Sequence, residues 1–299
     1  MQNLNLPPPM QPRNPNPFSD QHRAIAFTTP ENYATRLSTT IHHKGWTPLW
    51  CPPVIIEPTP EPIKHFLSFQ SKTPLDQFSA IAFTSRTGIS SFSQALSQTQ
   101  SHPLSPNGET FIISALGKDS ELLDSSFISK LCENPDRVRI LIPPVASPRM
   151  MVESLREGTG RKILCPVPLV IGLEEPPVVP EFLKDLAEKG WVVVRVNAYE
   201  TRWAGPHCVE EVVKWGDENR LDAIVFTSSG EVEGFLKGLK EMGLDWGRLR
   251  RQWTRLVVAA HGPVTAAGAE RLGVGVDVVS TRFDSFDGVV DALASKWLM

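Results

Sequence analysis

The chain has 299 residues, of which 41% are hydrophobic, so it can form one large or two ordinary domains with a sizeable core in each. Its 30 basic and 33 acidic residues give a net charge of −3, which gives no reason to expect a nucleic-acid or membrane surface. The sequence has no apolar run near the roughly 18 residues that a bilayer-spanning helix needs.

The four cysteines lie far apart and form no C-x-x-C pair; they are Cys51, Cys132, Cys165 and Cys208. Their spacing predicts neither a disulfide framework nor a metal site, and buried, reduced thiols are typical of intracellular proteins. Residues 1–22 are rich in proline and lack apolar periodicity, which predicts a disordered leader. We therefore expect a soluble intracellular protein, in the cytoplasm or a plastid stroma, and, in the absence of any oligomer signal, a monomer.

Strand and helix patterns alternate along the rest of the chain. Apolar runs predict strands at 24–28, 47–50, 54–56, 81–83, 111–113, 138–142, 163–167, 191–196, 223–226, 256–260 and 274–279. Amphipathic helical patterns lie between most of these runs, and such alternation is typical of parallel sheets with helices on both faces. The dense prolines at 58–62 predict instead a connector between two lobes.

Two stretches of the sequence echo each other. Ser79–Arg86 and Asp222–Ser229 each contain a buried-strand pattern that ends in Phe-Thr-Ser and precedes an amphipathic helical pattern. A second strand then follows in both units and ends in a glycine, Gly117 or Gly262. This shared order predicts two similar α/β lobes.

Small polar residues follow the strands of both units. Ligands of open parallel sheets bind beyond the carboxyl ends of the strands, where helix N-termini offer unpaired N–H groups to an anion. The candidate anion-binding residues are Thr28, Thr84, Ser85, Arg86, Gly117, Ser120, Thr227, Ser228, Ser229, Gly262 and Thr265. One such residue alone is better explained as a helix cap, but a matched set in two lobes favours a binding site.

Two further residues attract attention. Tyr199, one of two tyrosines, follows a β-branched run that we expect to pair with the proline-flanked strand Val54–Ile56. A phenol at such a hinge would point into a cleft, although an amphipathic side chain that only covers the linker is as good an interpretation. His261 lies at a strand-to-helix turn, where a cleft histidine and a structural histidine are equally reasonable.

Three segments, in this order and spacing, resemble the uroporphyrinogen-III synthase family: Val194–Thr201, Phe226–Ser229 and Ala260–Ala266. The resemblance covers nearly all of the chain after residue 23. It implies an α/β protein with two similar parallel-sheet, flavodoxin-like lobes that are joined by a two-stranded β-linker, the first lobe being discontinuous. The expected boundaries are 23–52 and 200–299 for lobe 1, 58–191 for lobe 2, and 53–57 and 192–199 for the linker.

The family cyclises hydroxymethylbilane, a linear tetrapyrrole with eight carboxylates, on the route to haem and chlorophyll. Loss of water gives an azafulvene, and the last ring is then inverted through a spiro intermediate, without a cofactor or a metal. By this resemblance Tyr199 would assist loss of the hydroxyl, and the candidate anion-binding residues would hold the carboxylates. Additional positive charge would come from Arg86, Lys118, Arg202 and Arg282.

The sequence also departs from the family pattern. The first strand ends Thr28-Thr29-Pro30 where the family usually has Thr-Arg-Pro, so one cation is missing. Ser120 replaces a threonine, and an acidic Glu174-Glu175 segment lies where the family tends to a basic loop. The alternative interpretation is therefore a weakly active or non-catalytic relative that binds a tetrapyrrole or another polyanion. An exported solute-binding protein is less consistent with the sequence, which shows no signal peptide.

Overall fold

The computed structural model describes residues 23–68, 73–282 and 285–298, so the predicted leader lies outside the described residues. The strands are β1 (Ala24–Phe27), β2 (Thr47–Trp50), β3 (Val54–Pro58), β4 (Ala80–Phe83), β5 (Phe111–Ala115), β6 (Val138–Leu141), β7 (Lys162–Ile171), β8 (Val192–Trp203), β9 (Ala223–Phe226), β10 (Val257–Ala260) and β11 (Val278–Val279). The helices are α1 (Glu31–His43), α2 (Pro60–Ser68), α3 (Arg86–Ser97), α4 (Ser125–Leu131), α5 (Pro148–Ser154), α6 (Val178–Glu188), α7 (Glu210–Asp217), α8 (Ser229–Glu241), α9 (Trp246–Gln252), α10 (Pro263–Arg271) and α11 (Asp287–Leu298).

The first sheet belongs to lobe 1 and has the strand order β11-β10-β9-β1-β2, with every pair parallel. Strands β1, β9 and β10 consist entirely of buried residues, as expected for a parallel sheet with both faces covered. Helices α1 and α11 cover one face, around Phe27, and α7 to α10 cover the other, around Phe235. Because β1 and β2 share this sheet with β9, β10 and β11, the lobe combines an early and a late segment of the sequence.

The second sheet, in lobe 2, has the strand order β3-β8-β7-β4-β5-β6 and is parallel except for the β3–β8 pair. Helices α2 to α4 pack on one face, where Phe83, Phe92 and Phe127 form an aromatic cluster. Helices α5 and α6 pack on the other face around Phe182. The predicted fold class, two parallel-sheet α/β lobes of which the first is discontinuous, is confirmed.

The linker ladder lies further along the chain than the sequence pattern indicates. Strand β8 pairs in parallel with β7 from Val192 to Arg202, and β3 runs antiparallel to the second half of β8, Tyr199–Trp203. Strand β7 offers a parallel partner to the β-branched run, whereas the flanking prolines confine β3 to the edge of the sheet. The twelve-residue strand β8 therefore has β7 as its partner first, and β3 joins it as a second partner from Tyr199 onward.

Two local differences also have simple causes. The proline-rich segment that we interpret as a connector instead begins helix α2 at Pro60. Proline is tolerated there because the N–H groups of the first helical turn have no partner within the helix. The last strand includes only Val278–Val279, since Gly273 turns the chain at φ 82° and Val274 packs into the core. None of the helices in the described residues is long and apolar enough to cross a membrane.

A second contact joins the lobes on one side of the linker. The segment 172–177, between β7 and α6, lies against α8 of lobe 1. Lys237 Nζ donates to the Gly172 carbonyl at 2.9 Å and lies 4.5 Å from the Trp203 ring centroid. Glu174 N donates to both carboxylate oxygens of Glu233, at 2.9 and 3.1 Å. The predicted acidic segment is thus tied to lobe 1.

Candidate functional site

The strand ends of lobe 1 converge on one buried carboxyl group. Strands β1 and β9 are parallel neighbours, and the helices that follow them pack on opposite faces of the sheet. Thr28 directly follows β1, and Thr227 directly follows β9. Glu231, in the first turn of α8, is only 2% exposed between them. Its carboxylate accepts from the hydroxyls of Thr28 and Thr227, both at 2.6 Å, and from the Thr227 N–H at 2.8 Å.

This network uses most of the polar groups that we predict for substrate binding in lobe 1. Thr28 is fully buried, and Thr265 Oγ1 donates to the Thr227 carbonyl at 2.9 Å. Ser228 caps α8, since its Oγ accepts from Glu231 N at 3.3 Å. Burial raises the pKa of Glu231, and the hydrogen bonds from Thr227 and Thr28 oppose that shift. The hydroxyl groups that we predict for substrate binding do lie close together, but they donate hydrogen bonds to Glu231 and to backbone carbonyls of the same lobe.

Ser229 and Gly262 lie at the edge of this network. Ser229 borders a cavity of about 280 Å³ that also includes Glu174, Glu175 and Glu233. Three carboxyl groups outnumber the one cation, Arg271, around this cavity and disfavour an anion there. Gly262, which is buried, occupies the N-cap position of α10.

The corresponding strand end of lobe 2 is built differently. Ser85 caps α3 by accepting from Gly88 N at 3.1 Å, just as Ser228 caps α8. The residue three positions after the cap, however, is Gly88 here and Glu231 in lobe 1. A Cβ atom on Gly88 would lie 3.2 Å from Ser85 Oγ and 3.7 Å from Cε1 of Tyr199. The missing side chain therefore makes room for the Tyr199 ring.

Tyr199 is 7% exposed and lies where β8 passes from the lobe 2 sheet into the linker. Burial raises the pKa of its phenol, a hydrogen bond with the Ser85 side chain lowers it, and the charge of Asp119 raises it further. The phenol thus keeps its proton at neutral pH and can donate it in a hydrogen bond. With Thr84, Tyr199 lines a mainly apolar cavity of about 220 Å³.

A cavity of about 370 Å³ separates the two lobes. Lobe 1 contributes Tyr33, Arg36, His261, Ser285 and Phe286, and lobe 2 contributes Leu116, Gly117, Lys118, Asp119 and Ala146. Gly117 adopts φ 47°, which favours glycine, and a Cβ there would lie 3.1 Å from the Ala146 side chain. Ser120 Oγ donates to the Gly117 carbonyl at 2.6 Å and thereby fixes this turn.

Of the four expected cations, Lys118 lines this cavity, and Arg86 pairs with the lining residue Asp119. Arg86 Nη1 lies 3.9 Å from Asp119 Oδ1. Burial raises the pKa of the Asp119 carboxyl, and Arg86 acts in the opposite direction. Tyr33 faces the same cavity, where burial and then Asp119 raise its pKa to about 12. Two of the other expected cations are paired elsewhere, Arg202 with Glu57 and Arg282 with Asp291.

Some of the site residues that the sequence analysis did not predict nevertheless had a signal in the sequence. Ser228 and Glu231 have the S-x-x-E spacing of a capping box, which predicts that the carboxylate turns back to the start of its own helix. Tyr33 is the other of the two tyrosines in the chain, and this rarity was its signal. No comparable signal existed for Asp119 and Gly88, because their roles depend on Arg86 and Tyr199 in other elements.

The fold and the site together define a class, a two-lobed α/β protein with a cleft that presents helix N-termini and a buried phenol. In the described parts of the chain, no three His, Cys, Asp or Glu side chains gather as metal ligands would. The sequence model of the HEM4 family, described as "Uroporphyrinogen-III synthase HemD", matches residues 35–289. The chain therefore belongs to the uroporphyrinogen-III synthase family, and its activity is that of a cyclising lyase of tetrapyrrole and haem biosynthesis.

One solved structure gives a consistent fold. A mutant uroporphyrinogen III synthase from the bacterium Thermus thermophilus superposes with a TM-score of 0.57 at 19% identity, over 91% of this chain and 99% of that one. The wild-type enzyme from the same bacterium reaches only a TM-score of 0.43 at 17% identity, over 92% of this chain and 99% of that one. A comparison with curated protein sequences gave no match.

Proposed function

We propose that the chain acts on hydroxymethylbilane and closes it to uroporphyrinogen III, with loss of water and inversion of the last pyrrole ring. The observation that carries this proposal is the buried, protonated phenol of Tyr199, which hydrogen-bonds the Ser85 side chain, borders the cavity of about 220 Å³ and is influenced by the charge of Asp119. A hydrogen-bond donor in such a place suits the departure of a hydroxyl group.

The substrate supplies both its leaving group and its nucleophile, so the protein must chiefly fold the linear tetrapyrrole and exclude direct closure. Holding reacting atoms in a near-attack geometry contributes roughly 7–11 kcal/mol in well-oriented reactions. In our proposal Tyr199 donates a hydrogen bond to the leaving hydroxyl. Because its pKa is raised, the phenol acts as a donor and does not become a phenolate.

We propose that the carboxylates bind mainly to backbone N–H groups at the start of α3, α8 and α10, because these helix ends attract anions. Thr84, Ser85, Gly117 and Ser120 would contribute from lobe 2, and Arg86, with Lys118, would add charge. In lobe 1, Ser228 and Gly262 would present N–H groups, whereas Ser229 contributes less because it faces carboxyl groups. Thr28, Thr227 and Thr265 shape this wall through their internal hydrogen bonds.

The proposal includes a monomer in a reducing compartment, the cytoplasm or a plastid stroma. The four cysteines support the reducing compartment, since all are free and Cys208 alone is partly exposed. We also propose lobe boundaries at 23–52 with 200–299 and at 58–191. The membership of β1, β2 and β9 to β11 in one sheet supports that division.

One assay tests the proposed function. Freshly made hydroxymethylbilane is incubated with the protein, the products are oxidised, and the isomers are separated. We expect isomer III to form faster than spontaneous closure gives isomer I. Isomer I alone, at the spontaneous rate, would contradict the proposal, and tight binding of the bilane without turnover would indicate a non-catalytic relative.

A further inference from the structure

Among the residues that line the interlobe cavity, Asp119 is the one with a carboxyl group. It lies on the short 3-10 helix Gly117–Leu122, and its side chain is 24% exposed. Charged or titratable groups face it from several elements: Arg86 of α3, Tyr33 and Arg36 of α1, Tyr199 of β8, His261 after β10, and its neighbours Lys118 and Glu121. The carboxyl group thus lies between both lobes, lines the same cavity as Tyr33 and influences the phenol of Tyr199 electrostatically.

The proposed reaction needs an acid at this point, because hydroxide is a poor leaving group and departs more readily as water. General acids work best when their pKa is near the working pH. The phenols of Tyr199 and Tyr33 are weaker acids than an ordinary tyrosine, since burial raises the pKa of each. Among the side chains that line the cavity, the carboxyl group and the imidazole are the types that commonly act as general acids, so the candidates are Asp119 and His261.

His261 is less suited to this role than Asp119. Its ring packs against Phe286 with the centroids 5.1 Å apart, and it belongs to the lobe 1 wall. Asp119 instead lies near Tyr199, whose phenol it influences electrostatically. The carboxyl group and the proposed hydrogen-bond donor are thus both on the lobe 2 side of the cleft.

We propose that Asp119 is the general acid that protonates the leaving hydroxyl and later accepts the proton released by the last ring. The inference rests on the proposed function. The carboxyl proton passes to the hydroxyl oxygen, the C–O bond breaks with its electron pair on oxygen, and water leaves a cationic azafulvene. After attack, fragmentation and reclosure, the ring carbon that forms the final C–C bond loses its proton to the Asp119 carboxylate, so the atoms and charges balance.

The neighbourhood of Asp119 couples its protonation to substrate binding. In the free protein Arg86, 3.9 Å away, favours the carboxylate, while burial favours the neutral acid. A substrate carboxylate that binds Arg86 removes this counter-charge and brings further negative charge close to Asp119. Both changes raise the pKa of the acid, so the bound complex takes up the proton that catalysis uses.

The main test is Asp119→Asn, assayed for isomer III over a range of pH. We expect turnover to fall by about 100-fold or more, since general acids contribute about 10²–10⁴-fold, while KM stays the same or decreases because a negative charge is gone. In the wild type, turnover falls as pH rises through the pKa of the acid. This alkaline limb should disappear in Asp119→Asn and persist in Asp119→Glu, which keeps the carboxyl group.

Arg86→Met distinguishes an acid from a residue that merely holds Arg86. Loss of the cation raises the pKa of Asp119, so the alkaline limb should move to higher pH in this variant. A purely structural role predicts equal loss in Arg86→Met and Asp119→Asn with no shift of the limb, and would overturn the inference. Disappearance of the limb in His261→Gln, with Asp119→Asn unaffected, would overturn it too.

The outcomes separate the two levels of the proposal. Failure of the wild-type protein to form isomer III would contradict the proposed function itself. An active wild type with unchanged turnover in Asp119→Asn would contradict only the role of Asp119. Circular dichroism and urea unfolding check that each variant folds, and Asp119→Glu supplies the test should Asp119→Asn be unfolded.

Discussion

The two lobes end their central strands with the same Thr-Ser pair and the same serine cap, yet the two ends have different structures. Three positions after the cap, lobe 1 has Glu231, whose carboxylate accepts three hydrogen bonds and closes the space between β1 and β9. Lobe 2 has Gly88, and the space beside it is occupied by the ring of Tyr199. One position therefore separates a closed packing arrangement from an opening that admits the Tyr199 ring.

In our proposals the two walls of the cleft therefore have different roles. In lobe 1 most candidate hydroxyls are held in internal hydrogen bonds, so that wall provides shape and backbone N–H groups. In lobe 2, Tyr199, Ser85 and the Arg86–Asp119 pair are the groups to which we assign the hydrogen bonding and proton transfer to the substrate. The departures from the family pattern lie mostly in lobe 2, which is also where our proposals place the chemistry.

The largest effect is expected for Glu231→Ala. This change leaves two hydroxyls and one N–H without their acceptor and opens a cavity, so it should lower the free energy of unfolding by about 3 kcal/mol. Urea denaturation measures it, with Glu241→Ala on the exposed end of the same helix as the control. A loss no larger than that of the control would show that the lobe 1 strand end does not depend on this carboxyl group.

Glu231 should also make stability depend on pH. Its folded-state pKa is raised above the ordinary 4.5, so its contribution is complete below that value and is lost as pH rises through the folded-state pKa. The free energy of unfolding of Glu231→Gln, relative to wild type, should therefore increase with pH across this window. Parallel pH profiles for the two proteins would show that the carboxyl group is not perturbed.

Tyr199→Phe should lower turnover by about 100-fold, because it removes the proposed donor to the leaving hydroxyl. Stability should change by only about 1 kcal/mol, since one hydrogen bond is lost and the ring remains. Isomer III formation and urea unfolding measure the two effects. Tyr33→Phe makes the same change on the opposite wall, and an equal loss in both variants would remove the special role of Tyr199.

Gly88→Ala probes the space in which Tyr199 lies. The added methyl group would lie only 3.2 Å from Ser85 Oγ, which must shift, and at an ordinary contact distance of 3.7 Å from the tyrosine ring. Because Ser85 hydrogen-bonds Tyr199, we expect turnover to fall by about 10-fold through a small displacement of the phenol. Gly230→Ala, in the first turn of α8, has no atom within 4 Å of the new group and is the matched control. Normal turnover in Gly88→Ala would mean that this space is not critical.

The smallest effects are expected for the two caps. Ser85→Ala and Ser228→Ala should each reduce stability by about 1 kcal/mol, because each serine accepts from a first-turn N–H. Ser85 also contacts Tyr199, so Ser85→Ala should reduce turnover more than Ser228→Ala does. Equal turnover in the two variants, measured beside their unfolding curves, would argue against the asymmetry between the lobes.

The sequence alone determined the alternation of strands and helices, the echo of the two lobes, and the family. These features depend on local periodicity and on residues close in the chain. Tertiary structure decided what the polar groups do, because partners such as Thr28 and Glu231, or Gly88 and Tyr199, come from distant segments. It also set the linker register at Tyr199–Trp203, since a strand pairs with whichever neighbour the packed sheet offers.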